Sequence, residues 1–129
     1  MPEAEQNEFN RRVLSFRYAF EGWLYVLRTQ RNAWIHAAAT IAVVILAFWL
    51  DVSRIEWAIL ILAITVVWMA EFANTALEAV VDLVSPEMHP LAKSAKDVAA
   101  GAVLVSACGA AVAGLLILGP SLWGRLFGP

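Results

Sequence analysis

Glu71, Asn74, Glu78 and Asp82 follow WAILILAITVVWMA, fourteen residues (57–70) without a charge. At about 100° per residue on a helix they fall at roughly 0°, −60°, −20° and +20° around the axis, one polar stripe with Thr75 beside it. The residues between them, Phe72, Ala73, Leu77, Val80 and Val81, are apolar. An ionised Asp near mid-membrane costs roughly 2.5–3.5 kcal/mol even on the mild insertion scale. Three acids on one face therefore call for a cation, a proton or water. Two chemistries suit them. One carboxylate could hold a divalent metal, since hard Mg2+ takes oxygen ligands and combines one or two carboxylates with substrate phosphates. Another could act as general base toward a hydroxyl. An ordinary amphipathic helix end, its acids solvated or paired with Arg, remains the plain alternative.

The elements that must position this stripe are membrane spans. Of the 129 residues, 61% are hydrophobic and 16% charged, against about 45–50% and 25% in soluble domains. The apolar residues lie in long blocks. Residues 33–50 form a first span, of about 27 Å at 1.5 Å per residue. DVSRIE (51–56) is a polar turn, and a second helix runs over 55–84 with its acidic end emerging from the bilayer. Residues 85–97 read as a loop, residues 98–119 as a third span, and Pro120 as its stop. Before the spans, residues 1–32 form an N-terminal tail and surface helix. Residues 1–8 are expected to fray, and Val13, Phe16, Phe20, Trp23, Leu24 and Leu27 recur at helical spacing beside Arg11, Arg12, Arg17, Glu21 and Arg28. The reading is a single all-α membrane domain over 1–129.

Seven of the nine Lys and Arg lie before the first span or between the second and third; Arg54 and Arg125 lie on the other side. The positive-inside rule then places the N-terminus and the 85–97 loop in the cytoplasm. The net charge of −2 gives no basic footprint for nucleic acid. MPEAEQNEFNRR lacks an apolar run and is not expected to be a cleavable signal peptide. The single cysteine, Cys108, allows no intrachain disulfide and reads as a small buried helix residue. Gly101, Ala102, Ala107, Gly109, Ala110, Ala113 and Gly114 permit close helix packing, within the bundle or between subunits. Lys96 and Asp97 fall at the expected start of the third helix, where a lysine beside a helix N-terminus attracts phosphate. No P-loop or kinase-type glycine loop is present. His36, one turn past Asn32, reads as an interfacial or helix-pairing histidine, and Thr40 as bonding back to its own helix.

The pattern Glu71-x-x-Asn74-Thr75-Ala76-Leu77-Glu78-x-x-Val81-Asp82, followed by Ala95-Lys96-Asp97, resembles the small bacterial membrane lipid kinases, the prokaryotic diacylglycerol kinase and undecaprenol kinase family. The likeness extends in weaker form from about Arg11 to Gly114, and HPLAKSAKDVAAGAVLVSA with RNAWIH is more similar to the undecaprenol kinase branch. The resemblance implies three spans plus a surface helix, assembled as a homotrimer with active sites at subunit boundaries. It implies a bacterial inner (cell) membrane protein that uses ATP and Mg2+ to phosphorylate a lipid alcohol. By the same resemblance Glu71 is the base, Glu78 a metal ligand with residue 30 as the second, and Asn74 an orienting residue. Lys96 and Asp97 contact the nucleotide, Glu87, Met88 and His89 border it, and Arg11 and Tyr18 reach it from the surface helix. Two departures stand out. Gln30 replaces the family's usual glutamate, so Asp82 is a candidate to assist at the metal. Met88 stands where an aromatic is common, so base stacking there would be weaker.

The expected function is transfer of the γ-phosphoryl group of Mg-ATP to undecaprenol, with diacylglycerol as the alternative lipid. A reading of another class is a small oligomeric cation or proton transporter. Against it, the acids cluster at one end of one helix, whereas a pathway would need polar groups through the membrane depth.

Overall fold

The computed structural model describes residues 3–87 and 89–128, arranged as four helices: α1 (Glu3–Thr29), α2 (Arg31–Trp49), α3 (Arg54–Val84) and α4 (Pro90–Phe127). The last three are long and apolar enough to cross a membrane. Their outward faces carry Ile41, Ile45, Ile61, Leu62, Val105, Leu115 and Leu116, all exposed. So much contiguous apolar surface would drive aggregation in water, whereas acyl chains solvate it.

α3 and α4 form the principal pair, and α2 packs beside α3. At one end Ala47, Val52, Leu60 and Leu118 make a small core around the α2–α3 turn. That turn is made by Asp51, whose φ of 52° is a left-handed conformation that Asp tolerates. Ser53 then starts α3 with a capping box: its hydroxyl accepts from the Glu56 N–H at 3.3 Å, and its own N–H donates to the Glu56 carboxylate at 2.7 Å. At the other end Val26, Ala33 and Trp68 join α1, α2 and α3. Trp23 of α1 lies 4.6 Å from the Trp68 ring and 4.7 Å from Phe72, centroid to centroid. The Trp68 indole N–H donates to Thr40 Oγ1 at 3.2 Å. Thr40 thus ties α2 to α3, where a bond back to its own helix was expected. Its hydroxyl is the acceptor within reach of an indole that must be satisfied inside an apolar bundle.

Several expected boundaries move. α1 begins at Glu3, ahead of the predicted fraying over 1–8. α4 begins at Pro90 rather than 98, because Pro suits the first helical position and His89 caps it, its Nδ1 accepting from the Leu91 N–H at 3.2 Å. The loop between α3 and α4 is therefore short. α4 also continues through Pro120 to Phe127. The proline removes one helical bond near the helix end, and Ser121 Oγ donates to the Ile117 carbonyl at 3.4 Å beside the gap. Cys108 is exposed on α4 rather than buried. A Cβ placed on Gly101, Gly109 or Gly114 would meet nothing within 4 Å. These glycines serve no close approach within one chain.

Replacing Ser53 by Ala should lower stability by about 1 kcal/mol through loss of the cap. Reversible unfolding in mixed micelles measures this.

Candidate active site

α1 and α2 meet at Gln30, whose backbone is extended (φ −106°, ψ 115°) between two helices. The corner is held by Trp34, whose indole N–H donates to the Leu27 carbonyl at 2.9 Å. Gln30 does not spend its side chain on capping α2. The side chain turns to α3, where Nε2 donates to Glu78 Oε2 at 2.9 Å. Asn74, one turn earlier on α3, donates from Nδ2 to Glu78 Oε1 at 3.0 Å. Both oxygens of Glu78 are thus held by amides from two directions.

Glu71 lies two turns deeper and is 1% exposed. Neither of its carboxylate oxygens has a hydrogen-bond partner among the described residues. His36 of α2 faces it, its Nε2 3.7 Å from Glu71 Oε2. That is too long for a hydrogen bond. His36 Nε2 and Asn74 Oδ1 are likewise buried without partners. Gln30, Asn32, His36, Glu71, Asn74 and Glu78 all line one cavity of about 290 Å3, closed on its far side by Ala100, Val103, Leu104 and Ala107 of α4. Burying so many unanswered polar atoms is costly in a bundle whose stability rests on apolar contacts. Groups kept in that state are poised for a ligand.

Asp82 departs from the stripe. It lies in a second cavity, of about 250 Å3, bounded by the ends of α3 and α4 and lined by Glu87, His89, Lys93, Lys96 and Asp97 among others. There Lys96 Nζ pairs with Asp82 Oδ1, and Lys93 pairs with Asp97. Asp82 does not line the cavity of Glu78; α4 brings Lys96 to it instead. Lys96 and Asp97 are also not at a helix N-terminus. With α4 starting at Pro90 they stand about two turns in, beyond the reach of the terminal dipole. The charge of Lys96 itself remains, in a cavity it shares with Glu87 and His89. Met88 lies outside the described residues. Arg11 and Tyr18, on the exposed face of α1, line neither cavity.

Among the described residues no three His, Cys, Asp or Glu side chains cluster as a self-sufficient metal site. The donor set at Glu78 nevertheless fits a hard cation that brings its own phosphate ligands. It offers one carboxylate and two amides, one of which has an unpartnered buried oxygen, Asn74 Oδ1. Rotating the Gln30 amide about its last bond would present oxygen in place of nitrogen.

Sequence reasoning gives Asn32 no site role and reads His36 as an interfacial or helix-pairing histidine, whereas both line this cavity. Asn32, His36 and Thr40 recur at intervals of four on a helix that is otherwise apolar after Arg31. That spacing defines one polar face turned toward α3, a signal as readable as the acidic stripe.

The Lys96–Asp82 pair is partly solvated, with side chains 36% and 66% exposed. Lys96→Met should change stability by less than about 1 kcal/mol. Thermal unfolding in micelles checks this, and a larger loss would make the pair a structural clamp.

Residues 17–118 match the prokaryotic diacylglycerol kinases. The chain is 48% identical over 117 residues to an undecaprenol kinase of Bacillus subtilis strain 168, covering 91% of this chain and 95% of that protein. It is 47% identical over 111 residues to a diacylglycerol kinase of Synechocystis sp., covering 85% of this chain and 63% of that longer protein. A diacylglycerol kinase of Escherichia coli strain K12 is 33% identical over 117 residues, covering 85% of this chain and 90% of its own length.

Proposed function

The chain belongs to the prokaryotic diacylglycerol kinase family and is a membrane-embedded lipid kinase, and from that premise we propose that it phosphorylates undecaprenol with Mg-ATP, giving undecaprenyl phosphate. The choice of lipid is supported by the likeness to the Bacillus enzyme over almost the full length of both chains. Diacylglycerol, giving phosphatidic acid, is the second reading, favoured by the nearly equal identity to the Synechocystis protein.

The observation that carries the chemistry is Glu71, a buried carboxylate with no hydrogen-bond partner among the described residues, in the cavity that also holds Glu78. A lipid alcohol brought there donates its O–H to Glu71. The hydroxyl oxygen forms its bond to the γ-phosphorus as the bond from phosphorus to the β–γ bridging oxygen breaks. ADP leaves, and the proton ends on Glu71. Glu78 and Gln30 would hold Mg2+, with Asn74 fixing the Glu78 carboxylate. When bound, the metal supplies positive charge against the transferring phosphoryl group. Lys96 would leave Asp82 for the phosphates, and Asp97, Glu87, His89 and Met88 would line the nucleotide. Glu78 and Asp82 are about 6 Å apart along α3, so the two cavities can serve one extended triphosphate.

The active assembly in this reading is a homotrimer. The glycines of α4 that meet nothing within their own chain support it. Arg11 and Tyr18, which line neither cavity of their own chain, would in this reading meet a nucleotide held by a neighbouring subunit. The enzyme would sit in the bacterial inner (cell) membrane with the N-terminus and the 85–97 segment in the cytoplasm.

Radiolabelled ATP incubated with the reconstituted protein and each lipid side by side tests the assignment. Label should enter undecaprenol faster, and Glu71→Gln should abolish turnover with little change in ATP binding. Preferential labelling of diacylglycerol would reverse the choice of lipid, and normal turnover in Glu71→Gln would remove the base. Gln30→Glu should lower the Mg2+ concentration giving half-maximal rate. An unchanged Mg2+ dependence would take residue 30 away from the metal.

A further inference from the structure

The geometry points to His36 as a positioning residue for Glu71: its Nε2–H holds Glu71 Oε2 and leaves Oε1 free for the incoming lipid hydroxyl. This rests on the reading of Glu71 as the proton acceptor. His36 Nε2 and both Glu71 oxygens are buried, and none has a hydrogen-bond partner among the described residues. Nε2 and Oε2 face each other across 3.7 Å. A side-chain adjustment of about 0.8 Å brings them to ordinary N–H···O distance. The imidazole is already oriented by Trp68, whose ring meets it edge-on with centroids 6.3 Å apart, and Trp68 is itself tied to Thr40 on the same face of α2.

The two carboxylates of the cavity are served differently. Glu78 takes two amide donors, from Gln30 and Asn74. Glu71 takes none among the described residues, and His36 Nε2 faces it. A carboxylate without a donor is free to rotate away from the hydroxyl it must meet. One fixed oxygen leaves the second aimed into the cavity, which is how an orienting donor makes a base effective. A neutral imidazole with its proton on Nε2 supplies that donor without adding a charge to the apolar wall.

Three substitutions in the full-length protein, reconstituted in lipid, separate this role from packing. Gln carries an N–H donor to about the reach of imidazole Nε2, Asn carries one that falls short, and Leu carries none. His36→Leu and His36→Asn should lower kcat about ten- to a hundredfold, the scale of a lost hydrogen bond to a charged group, with the KM for ATP within about twofold. His36→Gln should recover most of that loss. Turnover within twofold of the unsubstituted enzyme in His36→Leu, alongside an inactive Glu71→Gln, would overturn the His36 role alone. Equal impairment of the Gln, Asn and Leu variants would also overturn it, since packing would explain the loss. Normal turnover in Glu71→Gln would remove the base and this role together.

Discussion

A carboxylate within a lipid-facing helix bundle must be answered by polar atoms of the bundle itself, because no bulk water is there to do it. Glu78 is answered by Gln30 and Asn74; Glu71 is left open among the described residues, with His36 Nε2 3.7 Å away. That contrast organises the molecule. The satisfied acid is fixed in place, suited to coordinate. The open acid keeps its acceptor capacity unspent, as the proposed proton transfer from a substrate would require.

The rest of the fold maintains the contrast. The helix break at Gln30 places an amide from the α1–α2 corner beside α3, and the Trp34–Leu27 bond holds that corner shut. The Trp23, Trp68 and Phe72 cluster fixes the depth of α3 against α1 and α2. Trp68 lies three residues before Glu71, so whatever seats the tryptophan also seats the acid. α4 contributes the small walls Ala100 and Ala107 of the inner cavity and the lysines of the outer one. A lipid alcohol and a soluble triphosphate have to be met at different depths, and one long helix, α3, presents groups at both.

Gln30 brings no charge to the Glu78 neighbourhood and adds a hydrogen-bond donor to it. The resulting pair is stable without a cation, whereas two facing carboxylates would repel.

The helical spans, the surface helix and the Glu71–Asn74–Glu78 face were legible from residue types alone, because hydrophobic blocks and a period of 3.6 are local properties of a chain. Where α4 begins was missed because a proline at a first helical position looks, in sequence, like a loop signal. Which cavity Asp82 joins could not be read at all. The helical wheel places it with Glu71 and Glu78, but the approach of α4 carries Lys96 to it. His36 shows the same limit: its type and spacing were visible, but its meaning depends on lying 3.7 Å from a carboxylate thirty-five residues away in sequence. Periodicity states which way a side chain leaves its own helix, and only the packing of several helices decides what it meets there.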